Sequence, residues 1–379
     1  DKLMRTVFDI TIDFKKSKGS YLYDKKTGKR FLDLFSMFSS LPLGYNHAIF
    51  DGSFDEKIKH IAHLRMSNNL CYSDEFKSFE ESFLNISFHH NLHFCSTGAL
   101  AVEAAIKCGY EYRKNPNSIV YSLKNSFHGI NSWGFATDSN LSSVKNRVIN
   151  YPKNSWRKFG LDELIESLEN ITENISSVII ELIQCTAGDI YLDIDKLKTV
   201  QNLCNKNDIC FIVDEIQTGF GATGEYWYSK KIGLEPDIIV FGKKSQICGI
   251  MTNDKYSEAI HSEYRKLEVT FDGDLIDAVR SEYIIKAIED QSLLDNVKNI
   301  SEIFRSELSE RFKNYRSIGN LIAFDFLDKE KRDRFIKKSY ANHLLVNPTG
   351  DRSVRLRPSL SLADDELHES IIRIKNSID

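Results

Sequence analysis

Residues 209–249 read ICFIVDEIQTGFGATGEYWYSKKIGLEPDIIVFGKKSQICG. This stretch holds two apolar runs of strand length, Ile209–Val213 and Ile238–Phe241, and each ends in groups capable of chemistry. Asp214, Glu215 and Gln217 follow the first run, and Lys243 and Lys244 follow the second. In an open α/β sheet the carboxyl ends of neighbouring parallel strands lie side by side, and ligands bind just outside them. A carboxylate and an amine held together there make a candidate cofactor site.

The physical cost of such a pair gives it meaning. An acid placed directly after a buried strand is unfavourable without a cationic or hydrogen-bonding partner. A lysine at a buried strand end has its pKa lowered by desolvation and becomes a nucleophilic amine. Pyridoxal phosphate needs both, a Schiff-base lysine and an acid at its pyridinium nitrogen. The plainer reading of Asp214 and Lys243 is a buried salt bridge, which does not explain why a phosphate cradle and a stacking aromatic sit on the same sheet edge.

Other segments bear on the same edge. Ser96-Thr97-Gly98-Ala99 joins a short apolar run, Leu92–Cys95, to an Ala-rich helix over Leu100–Arg113. Small residues at such a junction let backbone N–H groups reach a phosphate, which the helix dipole favours. Ser and Thr also cap helices that bind nothing. Phe127-His128-Gly129 follows the strand Ser118–Leu123. Its aromatic could stack on a flat ring; read alone it is a core Phe and a surface His. Gly219–Gly224 matches the GxGxxG pattern, but Asp214–Thr218 intervene after the strand and an aromatic segment follows, so a loop shaped by backbone needs is expected. Gly242-Lys243 resembles the end of a phosphate-binding P-loop, but Asp237 and Lys244 stand where glycine and Ser or Thr belong.

Composition bounds the remaining possibilities. The 379 residues, 41% hydrophobic and 27% charged, suit a globular protein with a large core. A net charge of −4 offers no footprint for nucleic acid or an anionic membrane. No apolar run approaches the length of a spanning helix, and no signal peptide is expected. Seven cysteines with no CxxC favour reduced thiols in a cytoplasmic protein over disulfides or a metal site.

Along the chain, Gly19–Leu34 reads as a hairpin around Lys26-Thr27-Gly28, followed by an apolar small-residue loop, Ser36–Gly44. Helices are expected over Lys57–Arg65, Asp74–Leu84, Leu161–Leu168 and Asp193–Cys204, the last capped by Asp193, with a strand over Ser177–Ile183. Strands alternating with helices predict a mainly parallel sheet covered on both faces. Beyond residue 275 the pattern becomes α+β. Helices are expected over Ala278–Glu289, Asn299–Phe312 and Asp365–Lys375, the last capped by Asp364 or Asp365. Short strands are expected over Leu321–Phe326, Leu344–Asn347 and Ser353–Leu356.

Together these motifs, with Glu181-Leu-Ile-Gln184, Pro236-Asp-Ile-Ile-Val-Phe-Gly-Lys243 and Val354-Arg355-Leu356-Arg357-Pro358, resemble the class III aminotransferases. Within them the chain is most similar to the L-lysine ε-aminotransferases. The resemblance covers nearly the whole chain. It implies the fold-type I pyridoxal-phosphate architecture, with a mainly parallel seven-stranded sheet in a large domain at 60–274. A smaller α+β domain would form from 1–59 and 275–379. It implies transfer of a terminal amino group to a keto acid such as 2-oxoglutarate. Lys243 would form the internal aldimine and carry the proton shift, and Asp214 would keep the ring nitrogen protonated. Gln217 would bond the ring oxygen, with Phe127 and Ile216 on the two ring faces and His128 and Glu181 in the cofactor shell. Gly98 and Ala99 would bind the phosphate through backbone N–H groups, and Thr270 would reach the phosphate of a partner subunit in a homodimer. Arg355 would clamp the keto acid's α-carboxylate.

The chain departs from this pattern twice. Thr186 stands where the family has the glutamate that neutralises the carboxylate-binding arginine, and Ile130 replaces the arginine that anchors the substrate's distal carboxylate. An aliphatic side chain cannot pair a carboxylate, so the donor expected is an amine of different shape from lysine, such as one lacking a carboxylate at that end. Two rivals differ in testable ways. A decarboxylase or mutase on the same scaffold would form no pyridoxamine, and a non-catalytic binding protein need not turn over.

Overall fold

The computed structural model describes residues 7–66, 70–131 and 156–378. The chain opens with β1 (Tyr21–Tyr23) and β2 (Arg30–Asp33), then reaches β3 (Asn91–Cys95), β4 (Ile119–Leu123) and β5 (Trp156–Phe159). It continues through β6 (Ile175–Glu181), the small pair β7 (Ile183–Gln184) and β8 (Ile190–Tyr191), then β9 (Cys210–Asp214), β10 (Ile238–Phe241) and β11 (Cys248–Thr252). The last strands are β12 (Lys313–Ile318), β13 (Leu321–Asp325), β14 (Leu344–Leu345), β15 (Asn347–Thr349) and β16 (Ser353–Leu356).

Seven strands form one sheet in the order β3-β11-β10-β9-β6-β4-β5. β10, β9, β6, β4 and β5 run parallel, and β11 lies antiparallel between β10 and β3. Both faces are covered, which explains why β9 and β10 are apolar at consecutive positions rather than alternating. Ile212 and Val240 pack toward the helix Gly98–Arg113, while Phe211 and Val213 face a core shared with the helices Leu161–Glu169 and Ile194–Lys206. Ile239 and Phe241 meet Phe76, Phe79 and Phe83 of the helix Asp74–Ile86. This α/β arrangement is the fold-type I architecture expected from the sequence.

The remaining strands lie beside that sheet. β1 and β2 pair as the expected hairpin, and β14 joins β2 in parallel with Leu344 opposite Leu32. β12-β13-β16-β15 make an antiparallel sheet. The β12–β13 turn docks on the glycine-rich loop: Asn320 N–H donates to the Ala222 carbonyl at 2.8 Å, and Gly319 has φ +55°.

Several expectations need correction. β12 and the helix Lys329–Ala341 have no counterpart in the sequence reading. The early helix lies at Ser53–Ile61 rather than 57–65. The last helix begins after Ala363, so Asp364 and Asp365 occupy its first turn instead of capping it. Ser36–Ser39 is a tight turn with consecutive φ values of 47, 49, 59 and 71°, not an irregular loop. Asp193 does cap its helix, accepting from Lys196 N–H at 3.0 Å.

Candidate active site

The sheet topology places the chemistry at one edge. Parallel pairing sets Asp214 opposite Glu181 on β6 and opposite Val240 on β10, so Glu181, Asp214 and Lys243 emerge at adjacent strand ends. β3 is antiparallel to β11, which is antiparallel to β10, so Cys95 and the helix beginning at Gly98 lie at that same edge.

Asp214 is 5% exposed and fully engaged: Oδ1 accepts from Ile216 N–H at 3.1 Å, and Oδ2 lies 2.9 Å from His128 Nδ1. His128 is therefore a buried partner of the acid, 1% exposed, and the surface reading of its motif is wrong. Phe127 is half-buried and donates its N–H to Glu181 Oε1 at 2.8 Å, which ties the β4 turn to the end of β6. Burial pushes the Lys243 amine down, opposed by the Asp214 charge and reinforced by Arg355. Lys243 itself holds a left-handed φ of 53°.

Two glycines open space around Ile216, and a third opens space beside Ala99. A Cβ at Gly98 would lie 2.8 Å from Ile216 Cδ1, and one at Gly242 would lie 2.9 Å from Cys248 Sγ and 3.6 Å from Ile216 Cγ1. Gly129 (φ +96°) would bring its Cβ to 3.1 Å from that of Ala99. Thr97 caps the helix, so the N–H groups of Gly98 and Ala99 belong to a first turn with no intrahelical acceptors. Gln217 Oε1 is buried without a hydrogen-bond partner. Thr270 is exposed, in a loop tied to the Gly98 junction by Ser96 Oγ donating to the Phe271 carbonyl at 2.8 Å.

Sequence reasoning found Arg355 but not its setting. Its Nη1 donates to the Cys185 carbonyl at 2.8 Å, and with the Asn347 amide turned to accept, Nη2 and Nε reach Asn347 Oδ1 at 2.9 and 3.0 Å. Both partners are neutral, and burial with the nearby Arg357 lowers the guanidinium to about 10. Arg357 is paired instead, Nη2 to Asp189 Oδ1 at 2.6 Å, with 2% and 0% of the two side chains exposed. Lys244 was also passed over. It is buried, donates to Ser39 Oγ, and is pushed down to about 7 by burial, Arg357 and Lys243. Thr186 and Ile130 are half-buried, and the chain just beyond Ile130 lies outside the described residues. Glu215 turns away from the site to accept from Tyr228 and Ser229 N–H at 2.7 and 2.8 Å. No sequence signal marks the Arg357–Asp189 or Arg355–Asn347 pairings, because each joins residues brought together only by the tertiary fold.

The family model for class-III aminotransferases matches residues 4–378. The chain belongs to that family. This class-III aminotransferase is 29% identical over 418 aligned residues to the L-lysine-epsilon aminotransferase of Amycolatopsis lactamdurans, covering 98% of this chain and 92% of that relative. It is likewise 29% identical over 378 residues to the acetylornithine aminotransferase of Archaeoglobus fulgidus, covering 97% and 96%. Its structure superposes on the lysine aminotransferase from M. tuberculosis in the internal aldimine form with a TM-score of 0.93 at 27% identity, covering 99% and 96% of the two chains. The aminotransferase is thus a pyridoxal-phosphate-dependent transaminase. Its site suits that cofactor: a desolvated amine, a buried carboxylate, an orphaned Gln217 oxygen and a helix start bared by Gly98 are the groups a charged pyridine phosphate needs.

Proposed function

We propose that this transaminase moves a terminal amino group from a small amine to a keto acid, with Lys243 and Asp214 as its catalytic pair. Pyridoxal phosphate supplies an aldehyde carbon and a ring able to draw electrons from the amine-bearing carbon. Asp214, hydrogen-bonded to His128, would hold a proton on the ring nitrogen. Gln217 would bond the ring oxygen and Phe127 and Ile216 would enclose the ring, while Glu181 fixes Phe127 through its backbone. Gly98 and Ala99 would hold the phosphate at the helix start. Lys243 Nζ, whose proton affinity burial lowers, would take the proton from the donor's amine-bearing carbon and return it. Arg355, bonded to two neutral oxygens, receives the keto acid's carboxylate in bidentate fashion.

The observation that carries this reading is the convergence of a desolvated amine and a buried carboxylate at neighbouring parallel strand ends. Adding candidate amines to the purified protein should shift the cofactor's absorbance band, and a keto acid such as 2-oxoglutarate should restore it. Failure of every amine to shift the band would overturn the reading.

For the donor, Ile130 favours a molecule with no carboxylate at its distal end, because burying one unpaired costs several kcal/mol. A steady-state panel of lysine, ornithine, diamines and ω-amino acids tests this, and a wide margin for lysine would refute it. Exposed Thr270, next to Phe271 at 40% exposure, fits a homodimer whose subunits complete each other's phosphate site. Sedimentation should then give a dimer; a monomer that retains activity would exclude it. The free thiols fit a cytoplasmic enzyme. The β2–β14 pairing supports a division into 1–59 with 275–379, and 60–274.

A further inference from the structure

β3 carries a second buried acid–histidine contact, away from Asp214. His93 Nε2 lies 3.5 Å from Asp272 Oδ2, with 10% and 5% of the two side chains exposed. Asp272 belongs to the loop that bears Thr270. Its Oδ2 accepts from Val269 N–H at 2.8 Å, and its own N–H returns to the Val269 carbonyl at 3.1 Å. The Leu267 carbonyl also faces the His93 ring and favours its protonated form. Two buried atoms at this contact, His93 Nε2 and Asp272 Oδ1, have no hydrogen-bond partner.

The proton count follows from these contacts. Nε2 is buried and makes no hydrogen bond in the structure, so with the ring's one proton on Nδ1 it is the bare, accepting nitrogen of a neutral ring. A bare nitrogen facing an ionised carboxylate is repulsive, whereas one proton on the carboxyl makes an O–H···N bond. We propose that His93 and Asp272 share one proton, the Asp272 carboxyl donating to His93 Nε2, and that this bond positions the loop that presents Thr270. Its consequence for the cofactor rests on the reading that Thr270 contacts a partner subunit's phosphate.

Burial pushes the Asp272 carboxyl up to about 6, with the Val269 N–H opposing, Glu268 adding and Lys107 opposing. Burial and then Lys107 push His93 down to about 4, against the Leu267 carbonyl. Cys95, on the same strand, is the other titratable group that senses Asp272. Because Asp272 is raised in the folded protein, its contribution is intact in acid and is lost as pH rises through about 6. His93, lowered, remains neutral across that range.

Asp272→Asn supplies a permanent N–H donor of the same shape. In the holoenzyme, backbone deuterium exchange of residues 267–273, corrected for intrinsic rate, should quicken roughly three- to tenfold between about pH 5.5 and 7.5 in the native protein and stay flat in Asp272→Asn. Equal slopes in the two proteins would overturn the proposal. Should Asp272→Asn fail to fold, nitrogen-15 spectra of histidine-labelled native protein decide instead. A hydrogen-bonded, unprotonated Nε2 that loses its partner near pH 6 supports the bond, and ordinary imidazolium titration sinks it. Thr270→Ala should keep the exchange slope but shed cofactor faster on dialysis. A Thr270→Ala protein that retains cofactor normally, with the slope intact, removes the phosphate reading and leaves the shared proton standing.

Discussion

Lys243 and Lys244 are neighbours in sequence with opposite duties, and substitution should separate them. Lys243→Ala removes the amine placed beside Asp214, so turnover should fall by roughly 10²–10⁴ or more, read by steady-state transamination, while the fold survives. Lys244 sits buried against Ser39 and is pushed down to about 7. A lysine lowered on folding costs stability at every pH below its ordinary value, and that cost grows as pH falls from about 10 to 7. Lys244→Met should therefore raise stability by a few kcal/mol at pH 7 and flatten its rise between pH 7 and 10, measured by denaturant unfolding. Lys243 and Asp214 were legible because each is a charge set against an otherwise apolar strand. His128 came only from the resemblance, since nothing in Phe-His-Gly itself says which of its side chains faces inward, and only the β4 turn carries the ring to Asp214.

At the scale of elements, the glycines separate conformational need from contact. Gly28 has φ +69° and nothing within 4 Å of an added Cβ, whereas a Cβ at Gly319, φ +55°, would lie 2.3 Å from the Ala222 carbonyl oxygen. Gly28→Ala should cost about 1–2 kcal/mol from backbone strain alone. Gly319→Ala should cost clearly more, because the β12–β13 turn must also lift off the glycine-rich loop; paired thermal melts would show the difference. Legibility followed the same physics. β9 and β10 are buried throughout, so their apolar runs stand out. The helix Lys329–Ala341 buries only Arg332, Phe335 and Ser339, and β12 reads KNYRSI with a single fully buried residue, so neither shows the periodicity that identifies an element.

The whole molecule depends on a charge pair that no local pattern announces. Arg357, just past β16, and Asp189, between β7 and β8, join the antiparallel sheet to the small β7–β8 pair that follows β6. Arg357→Met leaves Asp189 buried without a partner and should destabilise by about 3–5 kcal/mol, while adding Asp189→Leu should recover much of the loss in a double-mutant cycle. A mainly parallel seven-stranded sheet was expected from the resemblance; this linkage was not, because its two residues are bonded across a sequence separation of 168.

The pairing of Leu32 with Leu344 reaches across most of the polypeptide. During synthesis, β2 must wait without its β14 neighbour until the ribosome has released it, by which time the large sheet has had every strand available for roughly 5–20 s of growth. The hairpin at the start of the chain is therefore among the last pieces to settle. A nascent protein arrested before residue 344 would display an unfinished sheet edge, making it an early substrate for chaperones.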